Sequence, residues 1–425
     1  MAASVSNMSG TEENQASRIM DLPTINRQAF QHCPYDIYAG CVTGYVKGCH
    51  MSSKSHQNLN ELNNVSANHE IKSMCWNDFD ESVIFTGQRD GSIFRYSITN
   101  EDVVPVPIEF SGEMGIFRNI KSHDDLIISA FSKGIVKCNR VTMENSNLES
   151  QLYVDIDAGT DLYCMDHNRH FPSSILTGGK ENPLKIWDIS APKEPIFSAK
   201  NVKNDWLNLT VPVWVTKAEF YFQSDKVITG TAKAHIRLYD PSTPQRRPVI
   251  DIESKETSPI TALSVRPNSN FQVVAGTGKG SLVLVDLRKK SVVRNYKGVK
   301  GGVTDIKFHP VHPYFVTSSV DRHIYCFDPD VPKQAKCSSV YLYSQINCLL
   351  FSSLWSPSDT VKLYDKSDVT TENILDKNAS SPHNEFDDEE DTDEVWKSLD
   401  VVQTKRKHSS SNEALHKLKR KKKKS

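Results

Sequence analysis

The chain has 425 residues, a formal net charge of −1 and 38% hydrophobic residues. It is long enough to bury a large core, and a net charge so close to zero gives no indication that the chain as a whole binds nucleic acid. No apolar run approaches the roughly 18 residues that a membrane helix needs, and the first 21 residues lack the apolar stretch of a secretory signal. Residues 1–33 are instead predicted to be a disordered leader.

One short pattern then recurs seven times between residues 38 and 329, and its clearest copy is TGGKENPLKIWDI, Thr177 to Ile189. Each copy contains an apolar segment, a tight turn and a second, alternating segment, which indicates two antiparallel strands. Aligned on the residue that ends the turn, the copies fall at Gly44, Gly91, Gly134, Asn182, Ala234, Gly280 and Arg322. The spacings are 47, 43, 48, 52, 46 and 42 residues. They predict an all-β fold, a seven-bladed WD40-type β-propeller with four strands in each blade.

The Gly-Gly-Lys of the clearest copy also has to be compared with a phosphate-binding loop. Such a loop needs Ser or Thr directly after Gly-Lys, and then a helix. Here Lys180 is followed by Glu181, Asn182 and Pro183, and residues 184–189 alternate as a strand does. The sequence therefore excludes the phosphate loop at this position.

Each blade also needs a strand before the repeated pattern. Six apolar segments fill this place, at 71–76, 115–120, 162–166, 218–222, 260–265 and 303–308. None precedes the first copy, but residues 338–351 supply two further strand-like segments after the last one. We expect residues 338–351 to complete the sheet begun by 37–49, so that strands from both ends of the propeller build one blade and close the ring. The propeller is predicted to span residues 34–353.

Catalytic and metal-binding patterns are absent from the sequence. It contains no Gly-x-Ser-x-Gly or His-Glu-x-x-His motif. The pairs His167 with His170 and His309 with His312 have a spacing of three residues but no third ligand close by in the sequence. The nine cysteines form no Cys-x-x-Cys pair and are expected to be reduced core thiols of an intracellular protein. We therefore predict a protein that is not an enzyme and uses no metal, cofactor or small-molecule substrate.

The turns of the repeats are predicted to share one face of the propeller with the connections between blades. That face would carry a basic residue in six of the seven turns: Arg89, Lys133, Lys180, Lys233, Lys279 and Arg322. Lysine favours exposed turns in any protein, so such a set can arise by accident. Because residues 1–355 contain about as many bases as acids, the regular placement also predicts a basic ring that binds the phosphate backbone of RNA without reading its sequence.

The widest repeat spacing, 52 residues, contains an insertion that includes KNVKNDWLNL at 200–209. Its candidate partner-binding residues are Lys200, Lys203, Asn204, Asp205 and Trp206. Trp206 either packs beneath this loop or is exposed as an interface anchor. Arg246 and Arg247, within TPQRRPV, are predicted to lie on the opposite rim. There they either bind carboxylate or phosphate or simply begin an outer strand.

Residues 354–425 lack apolar periodicity and are predicted to be a disordered tail with segregated charges. Eight acids fall within 385–394, and seven bases fall within 417–424. Val395, Trp396 and Leu399 follow the acids at helical spacing and predict a short helix that docks on a partner. The basic clusters predict a nuclear or nucleolar signal and an RNA-facing patch, and the alternative is a tail that only increases solubility. The signal residues are Lys405, Arg406, Lys407, Lys417, Lys419, Arg420, Lys421, Lys422, Lys423 and Lys424.

Several segments resemble the WD-repeat-containing protein 74 family and its fungal counterpart. They are TGGKENPLKIWDIS at 177–190, AKNVKNDWLNLTVPVW at 199–214, YDPSTPQRRPV at 239–249 and DTDEVWKSLD at 391–400. The likeness runs from about residue 38 to 351, together with the short tail segment. The chain departs from the general WD pattern because its Trp-Asp pair occurs once, at Trp187 and Asp188, and the usual Gly-His is largely missing. The leader is not a feature of the family.

The resemblance implies a non-catalytic scaffold of the nucleus and nucleolus that acts in large (60S) ribosomal subunit assembly and rRNA processing. The implied partners are the pre-60S particle, with its pre-rRNA and other assembly factors, and a nuclear AAA ATPase related to valosin-containing protein, which releases the factor. The helicase of the RNA exosome is a further implied partner. The alternative function is a peptide-binding substrate receptor in a nuclear chromatin or ubiquitin ligase complex. Neither function involves a membrane.

Overall fold

The structure, a computed structural model, describes residues 34–357 except for 63, 78–80, 101, 109–114, 124, 145–146, 205, 222, 255, 268, 270 and 332–335. The predicted leader and all but the first four residues of the predicted tail lie outside the described residues.

Seven four-stranded antiparallel sheets, which we number as blades in chain order, make up the fold. Blade 1 contains β1 (Ile37–Cys41), β2 (Val46–His50), β3 (Ser55–Asn58) and β28 (Ile346–Phe351). Blades 2 and 3 contain β4 (Ile71–Trp76), β5 (Val83–Gln88), β6 (Ile93–Ser97) and β7 (Val103–Val106), then β8 (Phe117–His123), β9 (Leu126–Phe131), β10 (Ile135–Glu144) and β11 (Asn147–Asp157). Blades 4 and 5 contain β12 (Leu162–His167), β13 (Ser174–Gly179), β14 (Lys185–Asp188) and β15 (Phe197–Ser198), then β16 (Val215–Phe220), β17 (Val227–Thr231), β18 (His235–Tyr239) and β19 (Ile250–Glu253). Blades 6 and 7 contain β20 (Ile260–Val265), β21 (Gln272–Thr277), β22 (Leu282–Asp286) and β23 (Ser291–Tyr296), then β24 (Val303–Phe308), β25 (Phe315–Ser319), β26 (His323–Phe327) and β27 (Lys336–Tyr341). A short 3₁₀ helix, Ala67–His69, precedes β4.

The sheets form a closed ring through one edge strand each, and we call β28, β4, β8, β12, β16, β20 and β24 the inner strands. Each inner strand contacts the inner strand of the next blade, and β24 and β28 complete the cycle back to β4. This is the predicted seven-bladed propeller. Two inner strands are displaced from their predicted positions: 115–120 becomes Phe117–His123, and 218–222 becomes Val215–Phe220.

Blade 1 is built from both ends of the propeller, as predicted, but with a smaller contribution from the C-terminal side. Its inner strand β28 pairs with β1, so that Ile37 lies opposite Phe351. The expectation that all of 338–351 joins this sheet is wrong. β27 is the outermost strand of blade 7, where Tyr341 pairs with His323. The chain therefore crosses from blade 7 to blade 1 between Tyr341 and Ile346.

The core consists of layers between neighbouring sheets, which explains the sequence pattern of the strands. The second strand of a blade, such as β17 or β25, is buried along its whole length because blades cover both of its faces. The outermost strands alternate, as β23 does, because one face is solvated. Between blades 6 and 7, for example, Leu284 packs with Ile306 and Phe315 in one apolar cluster.

The aligned turn residues share a backbone conformation that is rare outside glycine. Gly44, Gly91, Gly134 and Gly280 have φ between +89° and +102°, and Ala234 and Arg322 have φ of +62° and +69°. In blade 4 the left-handed residue is Glu181, with φ of +52°, one position before the predicted Asn182. Asn182 is buried, and its amide nitrogen lies 3.0 Å from each of the carbonyl oxygens of residues 158, 159 and 160.

Candidate functional site

The turns between the second and third strands lie on one face of the ring with the connections between blades. The amide of Ala158, after blade 3, donates to the carbonyl of Gly134 at 2.8 Å, and the amide of Ser254, after blade 5, donates to Ala234 at 2.8 Å. The amide of Val320 donates at 2.9 Å to Gly302, which precedes the inner strand of blade 7. We call this side the turn face. Its main-chain hydrogen bonds hold the turns in place.

The six predicted basic residues all lie in these turns and are exposed: Arg89, Lys133, Lys180, Lys233, Lys279 and Arg322. The turn of blade 1, residues 42–45, carries no basic residue. Three of the other turns also hold an acid, namely Asp90, Glu181 and Asp321. The face thus presents regularly spaced positive groups with acids between them.

Neighbouring side chains orient three of the six basic residues. Nη1 of Arg89 lies 3.3 Å from a carboxylate oxygen of Glu70. Burial alone would raise the pKa of Glu70, but hydrogen bonds from Lys72, Asn347 and Arg89 outweigh it and lower that pKa. The ammonium group of Lys180 lies 5.1 Å from the ring centre of Trp214. Nη1 of Arg322 lies 3.5 Å from the hydroxyl of Tyr341.

The insertion between blades 4 and 5 exposes apolar side chains. Trp206 is 90% exposed, and Leu207 and Leu209 are more than half exposed. We call this segment the Trp206 loop (200–214). Near its base Asn201 donates to the Val211 carbonyl at 2.7 Å, and on either side of Trp206 the side chain of Asn204 donates to the Asn208 carbonyl at 3.1 Å. Trp206 does not pack beneath the loop. The predicted partner residues Lys200, Lys203 and Asn204 are exposed beside it, and Asp205 lies outside the described residues.

Arg246 and Arg247 are exposed in the connection that follows β18, and a binding site formed by them on the opposite rim stays a prediction. The main-chain amide of Lys200 donates to the carbonyl of Arg246 at 2.8 Å. The connection between β18 and β19 therefore contacts the beginning of the Trp206 loop.

The inner strands are linked around the ring by side chains that sequence reasoning missed. Within the described residues, at least one hydrogen bond that involves a side chain crosses each of the seven junctions. In five of them the side chain donates: Asn347 to Ile71, Ser73 to Asn119, Asn119 to Met165, Thr216 to Ile260 and Thr261 to Val303. In the other two a carboxylate accepts from a main-chain amide: Asp166 from Phe220 and Asp305 from Leu349. A β-bulge near the same end of each inner strand accompanies these bonds. In three junctions the bonding residue directly follows the first apolar residue of the inner strand, as Thr261 follows Ile260.

Buried charges also line the middle of the ring. Lys121 and Asp166 form an ion pair of 2.7 Å. Burial, together with the charge of Asp166, raises the pKa of Glu219 to about 7. The charge of Asp305 raises the pKa of Lys307 despite the burial of that lysine, and Glu219 and Asp166 add to this effect. The inner ring is therefore a mixed-charge network, which stabilises a rigid ring.

The histidine pairs occupy structural positions. His309 is buried, and its Nδ1 accepts hydrogen bonds from the amides of Val311 and His312 at 3.1 and 2.8 Å. Burial lowers the pKa of His309 to about 4. Nε2 of His167 lies 2.7 Å from the Pro172 carbonyl oxygen. No group of three or more His, Cys, Asp or Glu residues in the described part of the chain is arranged to hold a metal ion.

Two other features bear on the kind of partner. A cleft of about 460 Å³ lies between blades 6 and 7, lined among others by Arg266, Phe271, Arg288 and His312.

No helix among the described residues is long and apolar enough to cross a membrane. The predicted tail-docking residues Val395, Trp396 and Leu399 and the nuclear-signal residues 405–407 and 417–424 lie outside the described residues.

Comparisons with known proteins agree with this architecture. Residues 290–328 match the family model described as WD domain, G-beta repeat. The chain is 31% identical over 366 residues to WD repeat-containing protein 74 of Bos taurus, an alignment that covers 86% of this chain and 90% of that protein. It is 30% identical over 390 residues to the Homo sapiens protein of the same name, covering 91% and 96%. It is also 26% identical over 299 residues to ribosome biogenesis protein NSA1 of Meyerozyma guilliermondii, covering 62% and 74%.

Proposed function

The chain belongs to the WD repeat-containing protein 74 family, and we propose that it is a non-catalytic assembly factor that binds precursors of the large ribosomal subunit in the nucleolus. The observation that carries this proposal is its similarity, over most of the propeller, to fungal proteins named for ribosome biogenesis. The geometry supports a scaffold, because the described residues form a closed ring in which ionisable groups such as Lys121 and Asp166 link the inner strands.

A scaffold needs separate surfaces for RNA and for protein, and the ring offers both. The basic residues of the turn face are spaced by the blades and would contact phosphates at intervals, which positions RNA without reading bases. The Trp206 loop presents a large aromatic side chain with Leu207 and Leu209 beside it, which is the composition of a protein-binding hot spot. Arg246 and Arg247 extend this protein-binding surface because their segment contacts the loop.

The finer parts of the proposal concern the tail and release from the particle. The segment around Val395, Trp396 and Leu399 would fold on a partner protein, and the basic clusters that follow would direct the chain to the nucleolus. We further propose that a nuclear AAA ATPase related to valosin-containing protein releases the chain from the particle, and that the chain contacts the helicase of the RNA exosome.

The test is sedimentation of the tagged full-length chain from nuclear extract, with sequencing of the RNA in its peak. The proposal expects comigration with large-subunit precursor particles and enrichment of their pre-rRNA. A peak of free protein, or of a complex without pre-rRNA, would reject it.

A peptide-binding substrate receptor is the second candidate. The acids Asp90, Glu181 and Asp321, which lie in three of the basic turns, favour it because they weaken a purely electrostatic RNA surface. The two functions differ in their response to salt. Binding through several phosphates weakens steeply as salt rises, whereas a peptide held by the Trp206 loop responds little. A complex of ligase size that withstands salt and lacks RNA would establish this second function.

A further inference from the structure

A row of aromatic rings lies where blades 7 and 1 meet, at the edge of the turn face beside Arg322. The ring of His56, on β3, lies 5.6 Å from that of Tyr343, and Tyr343 lies 4.8 Å from Tyr341 at the end of β27. Tyr341 in turn lies 4.9 Å from His323, the first residue of β26. We call these four residues the Tyr343 row. The row begins on blade 1 and ends on blade 7.

Tyr343 has a backbone conformation that its side chain disfavours. It lies in the connection between β27 and β28 with φ of +62°, in the left-handed region where a bulky residue is strained. In the described part of the chain, eleven non-glycine residues have positive φ, and Tyr343 is the one with an aromatic side chain. The ring is 70% exposed, so burial does not offset the strain. Folding alone would favour glycine here, and strained residues of this kind cluster at binding sites.

The surroundings of the row are polar and of mixed charge, since a carboxylate oxygen of Asp321 lies 3.6 Å from Nδ1 of His323. Arg322, a member of the basic ring, places its guanidinium 3.5 Å from the Tyr341 hydroxyl. The aliphatic residues that flank Tyr341 in sequence, Val340 and Leu342, are fully buried. This differs from the Trp206 loop, where the exposed ring is accompanied by exposed leucines. Tyrosine and histidine rings beside an arginine are the groups on which unpaired RNA bases stack.

We propose that the Tyr343 row binds unpaired bases of single-stranded RNA by stacking, while Arg322 contacts the adjoining phosphate. The inference rests on the proposed function and adds a second kind of contact to it: the basic ring positions the backbone, and the row captures bases where the RNA is not paired. It predicts that the turn face prefers single-stranded over duplex RNA.

The test uses the full-length protein and a single-stranded oligouridylate that carries one photoreactive 5-iodouridine. Binding is measured at raised salt, which suppresses the electrostatic contribution of the basic tail. The cross-linked residue is identified by mass spectrometry. We expect cross-links at Tyr343 or Tyr341. Loss of the ring in Tyr343→Gly should weaken binding by about tenfold, whereas Tyr343→Phe should bind as the wild type does.

Two controls separate binding from folding. Tyr343→Gly should have a melting temperature at or above that of the wild type, because glycine relieves the backbone strain. Tyr153→Ala removes another half-exposed tyrosine that lies beside an arginine, Arg140, outside the row, and should leave RNA binding unchanged.

Three results would overturn the inference. If cross-links are confined to other residues and Tyr343→Gly binds RNA normally, the row is not an RNA-binding site, and the proposed function is unaffected. Loss of a protein from the particle in Tyr343→Gly, with oligouridylate binding unchanged, would make the row a protein contact. Absence of RNA binding by the wild type, together with absence of comigration with precursor particles, would reject the row and the proposed function together.

Discussion

Nζ of Lys121 lies 2.7 Å from Oδ1 of Asp166, and this ion pair joins the inner strands of blades 3 and 4. The other carboxylate oxygen of Asp166 accepts a 3.0 Å hydrogen bond from the amide of Phe220 in blade 5. Burial alone would raise the pKa of Asp166, but Lys121 and the amide hydrogen bonds outweigh it and lower that pKa. One buried carboxylate thus connects three consecutive blades.

Replacing Asp166 by alanine is therefore expected to lower the free energy of unfolding by about 2 kcal/mol, because it leaves a half-buried ammonium group and the buried amide of Phe220 without their acceptor. The matched control is Asp240→Ala, which breaks the more exposed ion pair with Lys226 and should cost about 1 kcal/mol or less. Denaturant unfolding of the full-length variants measures both. Similar losses in the two variants would show that the inner ion pair has no special role.

The pKa of Glu219 gives the ring a distinctive pH dependence. Its pKa is raised from 4.5 to about 7 in the folded state. The folded protein therefore binds more protons than the unfolded chain between these values, and this contribution to stability is present at low pH and lost as pH rises through 7. Glu219→Gln, which keeps an acceptor for the Val265 amide, should match the wild type near pH 5 and exceed its stability near pH 8.

The measurement is the difference in melting temperature between Glu219→Gln and the wild type from pH 5 to pH 8. Because the histidines titrate in both proteins, their contribution cancels in this difference. A difference that stays constant with pH, or that favours the wild type at pH 8, would contradict the assignment.

The turn of blade 3 should be intolerant of any side chain at Gly134. A Cβ there would lie 1.9 Å from the carbonyl oxygen of Gly159, and φ is +93°. Gly134→Ala is therefore expected to lower stability by roughly 2 kcal/mol or more. Gly278, in the turn of blade 6, is the matched control, because a Cβ there meets its nearest atom at 3.5 Å. Thermal unfolding should place Gly278→Ala close to the wild type. Comparable melting temperatures for the two variants would refute the steric argument.

The Trp206 loop should be required for protein partners and dispensable for folding. Trp206→Ala is expected to weaken recovery of partner proteins with the tagged chain by about 30-fold, corresponding to a hot spot of about 2 kcal/mol. Its melting temperature should stay within a degree or two of the wild type, because the ring is 90% exposed. Phe171→Ala, at another exposed aromatic residue, is the control and should recover partners normally. Normal recovery of partner proteins with Trp206→Ala would show that they bind to another part of the chain.

The repeat itself could be read from the sequence, because each blade must satisfy the same geometry. Turns that need a left-handed residue recur at Gly44, Gly91, Gly134 and Gly280, and the strands between them have to be apolar to fill the layers between blades. The closure of blade 1 followed from counting strands. The division of 338–351 between two blades did not, because periodicity does not show which sheet a strand joins.

The contacts between distant segments could not be predicted in the same way. Asp166 and Lys121 are 45 residues apart in the chain, and each looks like a solvated charge within its own strand. The contact of Arg246 with the Trp206 loop, and the row that brings His56 beside Tyr343, depend on how neighbouring blades meet. The exposure of Trp206 was one of two open alternatives, since a tryptophan in a loop is compatible with both.

The central claim is that this propeller is a scaffold on precursors of the large ribosomal subunit. Ultraviolet cross-linking of the tagged full-length chain in living cells, with sequencing of the attached RNA, tests it most directly. The account predicts reads concentrated in large-subunit pre-rRNA, and a several-fold loss of them when Lys180, Lys233 and Lys279 are all replaced by Glu while the tail is unchanged. Reads no more abundant than in an untagged control, from protein recovered intact, would contradict it.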